Sequence, residues 1–436
     1  MFERMFQLKA AGTTVKTEIL AGLTTFMTMG YIIFVNPSIM ADAGMPFGPV
    51  MVATCIASAL ATALMAFLAN YPVGLSTGMG LNAFFAYSVV LGMGIDWRIA
   101  LAAIFVEGVL FVLLTLTNLR EKVVNGFPNC LKIGISAGIG LFIAFVGLQG
   151  AGIIIKNDST LVAIGNLTSR TSLLAIIGFI IIAGLECHKV RGSILWGIIA
   201  TTIIAVFWGV SPMPDQVVSL PPSIAPLFFK MDFSMLGSWQ FWAIVFAFFF
   251  VDFFDTVGTL IGVSHRSGML DAQGRLPRAK QALMADAVGT VAGACLGTST
   301  ITSFVESASG VEQGGRTGLT ALTVSVLFLL AIFFSPLVGI VPSAATAPGL
   351  VMVGVYMMMS LGQLDFKDLS EVIPTTITLM AMPFAYSIGT GIELGVLCYT
   401  FVKLVAGRAK EISLVMWLLT LVFILKEAAP YLSSLL

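Results

Sequence analysis

The sequence predicts an all-α polytopic membrane protein, and two observations predict it. The chain is 58% hydrophobic and only 10% charged, with a mean hydropathy of +1.01, whereas a soluble domain carries about 25% charged residues. Apolar runs of roughly 15–20 residues recur from residue 17 to residue 429, each long enough to span or nearly span hydrocarbon. The lipid bilayer is therefore the first partner. The 22 basic and 22 acidic side chains balance to zero, which points away from a nucleic-acid partner.

Taken in order, the candidate spans are 18–36, 49–69, 75–91, 98–118, 133–152, 171–187 and 192–209. A Pro-rich polar stretch, SPMPDQVVSLPPSIAPLFFKMDFS (211–234), then reads as an extramembrane loop dividing two halves. The second half holds 240–263, 281–296, 300–312, 319–336, 345–361, 371–387, 390–405 and 411–429. That is seven runs followed by eight, so one late run reads as a broken or re-entrant piece. The first run follows a short, mixed leader and is expected to remain as a helix. Arg4, Lys9 and Lys16 precede it, and further basic residues fall after alternate spans (Arg120, Lys122 and Lys132; Lys189 and Arg191; the stretch 266–280). The positive-inside rule then places the N-terminus in the cytoplasm, with Lys156 and Arg170 as exceptions.

The halves share a feature at matching positions. VGLSTGMGLNAFFAY (73–87) and GTSTITSFVESASGVEQGG (297–315) each follow two spans, and each is small-residue-rich and interrupted. An odd number of spans in the first half would make the second half enter from the other side, giving an inverted repeat. Gly-interrupted segments in matching places point to a transporter's binding site.

Acids inside apolar runs are the chemical candidates, because a charge deep in hydrocarbon is costly and usually faces a working cavity. Asp252 and Asp255 lie in FVDFFDTVGTLIG (250–262), spaced i,i+3 and so nearly on one helix face. Carboxylates this close repel, and enclosure favours the neutral acid, so the pair suits proton coupling. Glu306 lies in TSFVESASG (302–310), at the start of an expected short helix whose free N–H groups would point at a ligand. Thr302 and Ser303 belong to the same stretch. In GMGLNAFF (78–85), Asn82 supplies the donor and acceptor pair that a nucleobase edge needs, and Phe84 could stack on a planar ring. Thr28, with Thr24, Thr25 and Tyr31, adds hydroxyls in the first run. Glu107 and Glu393 are further intramembrane acids.

Enzyme chemistry finds no support. No Walker motif, GxSxG elbow or HExxH occurs. The two histidines sit near loops, and the five cysteines (Cys55, Cys130, Cys187, Cys295, Cys398) have no CxxC spacing. No cofactor or metal is therefore expected.

Several stretches together resemble one family: STGMGLNAFFAYSVV (76–90), FFDTVGTLIGV (253–263), QALMADAVGT (281–290) and GTSTITSFVESASGVEQGGRTGLTAL (297–322). They are similar to the AzgA-like branch of the nucleobase–cation symporter-2 superfamily, the adenine, guanine and hypoxanthine permeases, over residues 12 to about 410. The resemblance implies about 14 spans in two inverted seven-span repeats (1–209 and 240–436, joined by 210–239), with short strands in spans three and ten, here near 74–80 and 298–304. It also implies a core domain (17–118 and 240–340) and a gate domain (131–209 and 344–430). It places substrate binding on Asp255 and Glu306; proton coupling is expected at these two and, from the i,i+3 spacing, at Asp252. Where uracil carriers have a second polar residue four positions after the span-eight acid, often histidine, this chain has Thr259, which leaves the proton path open.

The expected activity is proton-coupled uptake of a purine nucleobase by alternating access across a bacterial inner membrane. An anion carrier or exchanger of the same inverted-repeat fold is the alternative. The sequence leaves open which base is carried, and it leaves the oligomeric state open, with a homodimer among the options.

Overall fold

A computed structural model describes residues 2–116, 127–214, 216–267 and 276–435. Among these, eight helices are long and apolar enough to cross a bilayer, and five more are shorter and apolar. The polytopic all-helical architecture expected from hydropathy is therefore present. The chain divides into two compact units, Met1–Thr115 with Val146–Met352, and Leu116–Phe145 with Val353–Leu436.

After a five-residue helix, Phe2–Phe6, the first unit continues with α1 (Val15–Met29). Thr14 caps it, its hydroxyl accepting from Thr17 N at 3.2 Å. The expected first span is not one helix. It breaks at Gly30 and resumes as α2 (Ile32–Asp42), which contains Pro37. Helix α3 (Phe47–Leu64) runs on as a π-helix to Ala69 and stops at Asn70, whose left-handed φ of 53° ends it. The chain then becomes extended as β1 (Leu75–Thr77) before α4 (Met79–Ala83) starts a second π-helical stretch to Gly92. Helix α5 (Trp97–Leu116) closes this part.

The same pattern recurs later. Helices α6 (Trp239–Ser267) and α7 (Ala279–Leu296) lead into β2 (Ile301–Ser303) and a six-residue helix, α8 (Ser307–Glu312). The expected span 300–312 is thus a strand followed by under two turns of helix. Helix α9 (Gly318–Ala331) follows. The strands β1 and β2 pair antiparallel, with Leu75 opposite Ser303, Ser76 opposite Thr302 and Thr77 opposite Ile301. The two short strands expected near 74–80 and 298–304 are present and bonded to each other. A β-hairpin (Ile154–Asn157 with Leu161–Ile164) lies between the expected spans 133–152 and 171–187.

Glu18 explains how α9 can begin in the interior. Its carboxylate is fully enclosed and accepts from Arg316 N (2.9 Å), Thr317 N (3.3 Å), Thr320 N (3.2 Å) and Thr320 Oγ1 (2.6 Å). The first N–H groups of a helix have no partner within it, so an acid on α1 supplies one.

In the second unit, helices Leu369–Phe384 and Ile388–Val405 lie close together. Small residues permit this, as in membrane helix pairs generally: a Cβ on Gly395 would meet Thr378 Oγ1 at 2.0 Å. The ends of these helices carry an ion network. Arg408 sits between Asp368 and Glu411, each 2.6 Å away, and the enclosed Lys403 reaches Glu411 at 2.8 Å. The Ser370 hydroxyl and then the Arg408 guanidinium hold the Asp368 carboxyl down at about 2.

Candidate functional site

The strand pair is too short to satisfy its own backbone, and inside a bilayer every N–H and C=O needs a partner. Surrounding side chains supply several. Thr62 bonds both N and O of Leu75, at 2.9 and 3.0 Å, and Thr290 donates to Ile301 O at 2.9 Å. Gly74 N donates to Ser307 Oγ at 3.0 Å, Phe304 N to Gly74 O at 3.0 Å, and Gly78 N to Thr300 O at 3.1 Å. The extended stretch is thereby held as a fixed platform rather than a loop.

Side chains along the platform are also paired off. Asn36 donates to Thr54 and Thr298, Ser76 bonds Ser58 at 2.7 Å, and Thr300 donates to Glu107 at 3.3 Å. Asn82 is fully enclosed. Its amide donates to Thr77 Oγ1 at 3.3 Å, and its oxygen accepts from Ser299 Oγ at 2.5 Å. The donor and acceptor expected for a base edge therefore also bind one strand region to the other. Thr302 is 1% exposed and shares a 2.8 Å hydrogen bond with Thr256. Ser303 is the exception. Among the described residues its enclosed hydroxyl has no hydrogen-bond partner.

Glu306 stands at the N-cap of α8, partly exposed. Tyr31, at the break between α1 and α2, donates its hydroxyl to Glu306 Oε1 at 2.7 Å. Thr28 approaches from α1, within 3.3 Å of Glu306 O and 2.9 Å of Ser309 Oγ. The N–H groups of residues 307–309 donate to the carbonyls of Phe304, Val305 and Glu306. They are engaged in a tight turn, so the free N–H groups expected there are not displayed. What Glu306 presents here is its carboxyl group.

Phe84 is buried, edge-on to Phe248 with ring centroids 4.8 Å apart, so its aromatic surface serves packing in this state. Asp252 is fully enclosed on α6. The side chain of Asp255 lies outside the described residues.

Three contributors were not singled out from sequence as site residues: Asp286, Thr256 and Ser299. Each is a polar residue inside a helix or a Thr/Ser run, where sequence offers no sign of the partner across the fold. Asp286 could have been found, because it is an acid inside the apolar stretch QALMADAVGT.

A broken helix, paired half-strands and enclosed acids on a bundle of bilayer-length helices define a multi-pass membrane transport protein rather than an enzyme. Residues 16–394 match the family described as "Permease family", and the chain belongs to it. It is 45% identical over 426 residues to the adenine permease AdeP of Escherichia coli, covering 98% of this chain and 96% of AdeP. It is also 45% identical over 415 residues to the guanine/hypoxanthine permease PbuO of Bacillus subtilis, covering 94% of this chain and 96% of PbuO. Among solved structures, the transmembrane domain of the cyanobacterial bicarbonate transporter BicA superposes with a TM-score of 0.65 at 14% identity, over 87% of this chain and 97% of that one. That likeness is one of fold.

Proposed function

We propose that the protein imports purine nucleobases together with protons by alternating access, across a bacterial inner membrane with its N-terminus in the cytoplasm. The relatives named for adenine and for guanine/hypoxanthine transport support a purine. The observation that carries the reading is Glu306: a partly exposed carboxyl group, held by a tyrosine hydroxyl and set beside a strand platform. A carboxylate accepts the ring N–H and amino donors of a purine. Ser303 adds an enclosed hydroxyl with bonding capacity to spare.

In this reading Glu306 and Ser303 contact the base, with Asp255 and Asp252 nearby for the proton. Asn82, Thr302 and Thr28 set the geometry of the platform, and Phe84 lines the wall behind it. The two halves, 1–209 and 240–436, form inverted repeats of seven spans each. The core (17–118 and 240–340) moves against the gate (131–209 and 344–430). Protonation of an enclosed acid lowers the cost of carrying it through that movement.

The BicA-like fold raises the anion-carrier alternative. A small anion needs positive charge at its site, and the central groups here are carboxyls and hydroxyls.

The test is uptake of labelled adenine, guanine and hypoxanthine, each in competition with the others, xanthine and uracil, at two external pH values. Saturable purine uptake, stronger at acidic external pH and absent in Glu306→Ala protein that still reaches the membrane, is expected. Sulfate or bicarbonate uptake in place of purine uptake would refute the proposal.

A further inference from the structure

The stretch Ser219–Phe233, in the loop that joins the two halves, runs across helix ends from both of them. Ser219 N donates to Phe333 O at 3.0 Å, and the Ser219 hydroxyl lies 3.1 Å from Ser335 Oγ, beyond the end of α9. A Cβ on Gly48, near the start of α3, would stand 3.2 Å from Pro222 Cγ. Asp232 N donates to Arg98 O at 3.0 Å, and Phe233 sits edge-on to Phe105, both partners lying on α5. One residue of the loop turns inward. Among the described residues from 212 to 238, Leu227 alone is fully buried, although Pro226 and Phe228 beside it are exposed. Leu227 seats against Gly297, the residue that ends α7. Gly297 has a left-handed φ of 90°, and a Cβ there would stand 2.3 Å from Leu227 Cβ and 3.1 Å from Leu227 O. Only glycine meets both demands. Two residues on, Phe229 N donates to Cys295 O at 2.9 Å, satisfying a carbonyl of the kind that a helix end leaves unpaired.

We propose that Leu227 is a positioning residue for purine binding, acting through Gly297 on the strand platform. The three residues between Gly297 and β2 carry bonds that fix the strand. Thr298 bonds Asn36 and Thr54, Ser299 bonds Asn82, and Thr300 bonds Glu107 while its carbonyl accepts from Gly78 N. Their placement starts from where α7 ends. A glycine in the left-handed region is the most pliable point on that path, and Leu227 fills the space against it. Ser303 and Glu306 lie at the far end of the same short path. The approach to β1 is built on the same plan. Asn70 ends its helix with a φ of 53°, accepts from Gly318 N at 2.7 Å and donates to Phe6 O at 3.1 Å. There the residue's own side chain does the clamping. Gly297 has none, and the loop supplies one. The connecting loop is therefore part of the frame of the site rather than a tether between halves. The inference rests on the reading of Ser303 and Glu306 as base contacts and adds a residue outside both strands to it.

The experiment measures KM and maximal rate for labelled purine with the full-length protein in proteoliposomes, normalised to protein in the membrane, alongside thermal unfolding in detergent. Truncating a buried leucine lowers stability whatever else it does, so the KM is the deciding readout. For Leu227→Ala, KM should rise roughly two- to thirtyfold, the range for network residues that touch no ligand, with the maximal rate largely retained. Leu227→Met refills the space and should restore KM. Leu220→Ala, on the same loop but 86% exposed, should leave KM unchanged. A lower melting temperature with an unchanged KM in Leu227→Ala would overturn the proposal, because Leu227 would then only anchor the loop. An equal KM rise in Leu220→Ala, or no recovery in Leu227→Met, would overturn it as well. Should Leu227→Ala fail to reach the membrane, Leu227→Val carries the test: a smaller rise in KM is expected, and an unchanged KM would overturn the proposal. Absence of saturable purine uptake in the unmodified protein would refute the proposed function and this inference with it. Normal uptake whose KM ignores Leu227 would refute this inference alone.

Discussion

Tyr31 and Glu306 meet across 275 residues of sequence through a 2.7 Å hydrogen bond, which ties the break in the first span to the helix that follows the second strand. The tyrosine hydroxyl donates to one of the two carboxyl oxygens. A hydrogen bond to a charged group contributes about 1.5–3 kcal/mol. Tyr31→Phe keeps the ring against Phe304, at a 6.5 Å centroid separation, and removes only the donor. The expected outcome is a KM for labelled purine raised roughly 10- to 100-fold, with the protein's melting temperature in detergent little changed. An unchanged KM would show that the bond does not orient the carboxyl for substrate.

Glu18 makes a structural prediction rather than a transport one. Four donors converge on its carboxylate, all from the first turn of α9 or its approach. Glu18→Ala leaves them enclosed without an acceptor, at about 1–3 kcal/mol for each unmade bond. A total loss of about 3 kcal/mol or more follows, and Glu18→Gln should recover part of it, since its amide oxygen still accepts. Denaturant unfolding in detergent would measure both. Equal stability of Glu18→Ala and the unmodified protein would contradict the capping role.

The close approach of α1 and α8 makes Gly310 sensitive. A Cβ there would stand 2.1 Å from Thr25 Oγ1 and 2.6 Å from Ala21 O. A side-chain hydroxyl can move, but a helical backbone carbonyl cannot without shifting the helix. Gly310→Ala should therefore cost about 1–3 kcal/mol as overpacking, and Thr25→Ala in the same chain should restore only part of it. Thermal unfolding of the single and double variants decides this, and full restoration would place the whole clash on Thr25.

How much of this was legible beforehand follows the physics of each signal. Hydropathy is a property of whole segments, so the polytopic class could be read directly. The Gly-rich interruptions marked where helix would fail, and the family resemblance supplied the strands found at Leu75–Thr77 and Ile301–Ser303. Pairwise polar contacts have no such signature. Glu18 was not singled out from sequence, and only the fold brings α9 onto it. Asn82 reads as a ligand for a base edge, while the fold shows its amide already bonded to Thr77 and Ser299. The expected N–H groups beyond Glu306 failed for a local reason: the turn over residues 304–309 is tight enough to use them itself.

The ion network of the second unit predicts a pH dependence of stability. Asp368 is held at about 2, below the usual carboxylate value, by Ser370 and Arg408, and Glu411 is lowered by hydrogen bonds from Arg408 and Lys403. A carboxyl whose folded value is depressed contributes stability above its unfolded value, and that contribution is lost as pH falls through the folded one. The contribution is therefore complete at neutral pH and fades between about 4 and 2. Arg408→Gln removes it at the outset. The melting-temperature gap between the two proteins should be present at pH 7 and narrow steadily below pH 4, and a gap that widens on acidification would contradict the assignment.

Ser303 separates a binding role from a structural one by sign. Its hydroxyl is enclosed with no hydrogen-bond partner among the described residues, and such a group costs about 1–3 kcal/mol. Ser303→Ala removes that cost while barely altering the volume, so the substrate-free protein should become more stable, by about 1 kcal/mol. A hydroxyl that bonds the purine would also be lost, and the KM for uptake should rise by roughly five- to tenfold. Higher melting temperature together with weaker binding is the expected pairing. If the variant melts higher and transports with an unchanged KM, Ser303 has no substrate contact. If it melts lower, its hydroxyl has a partner within the folded protein, and the strand platform lacks the spare bonding capacity assigned to it.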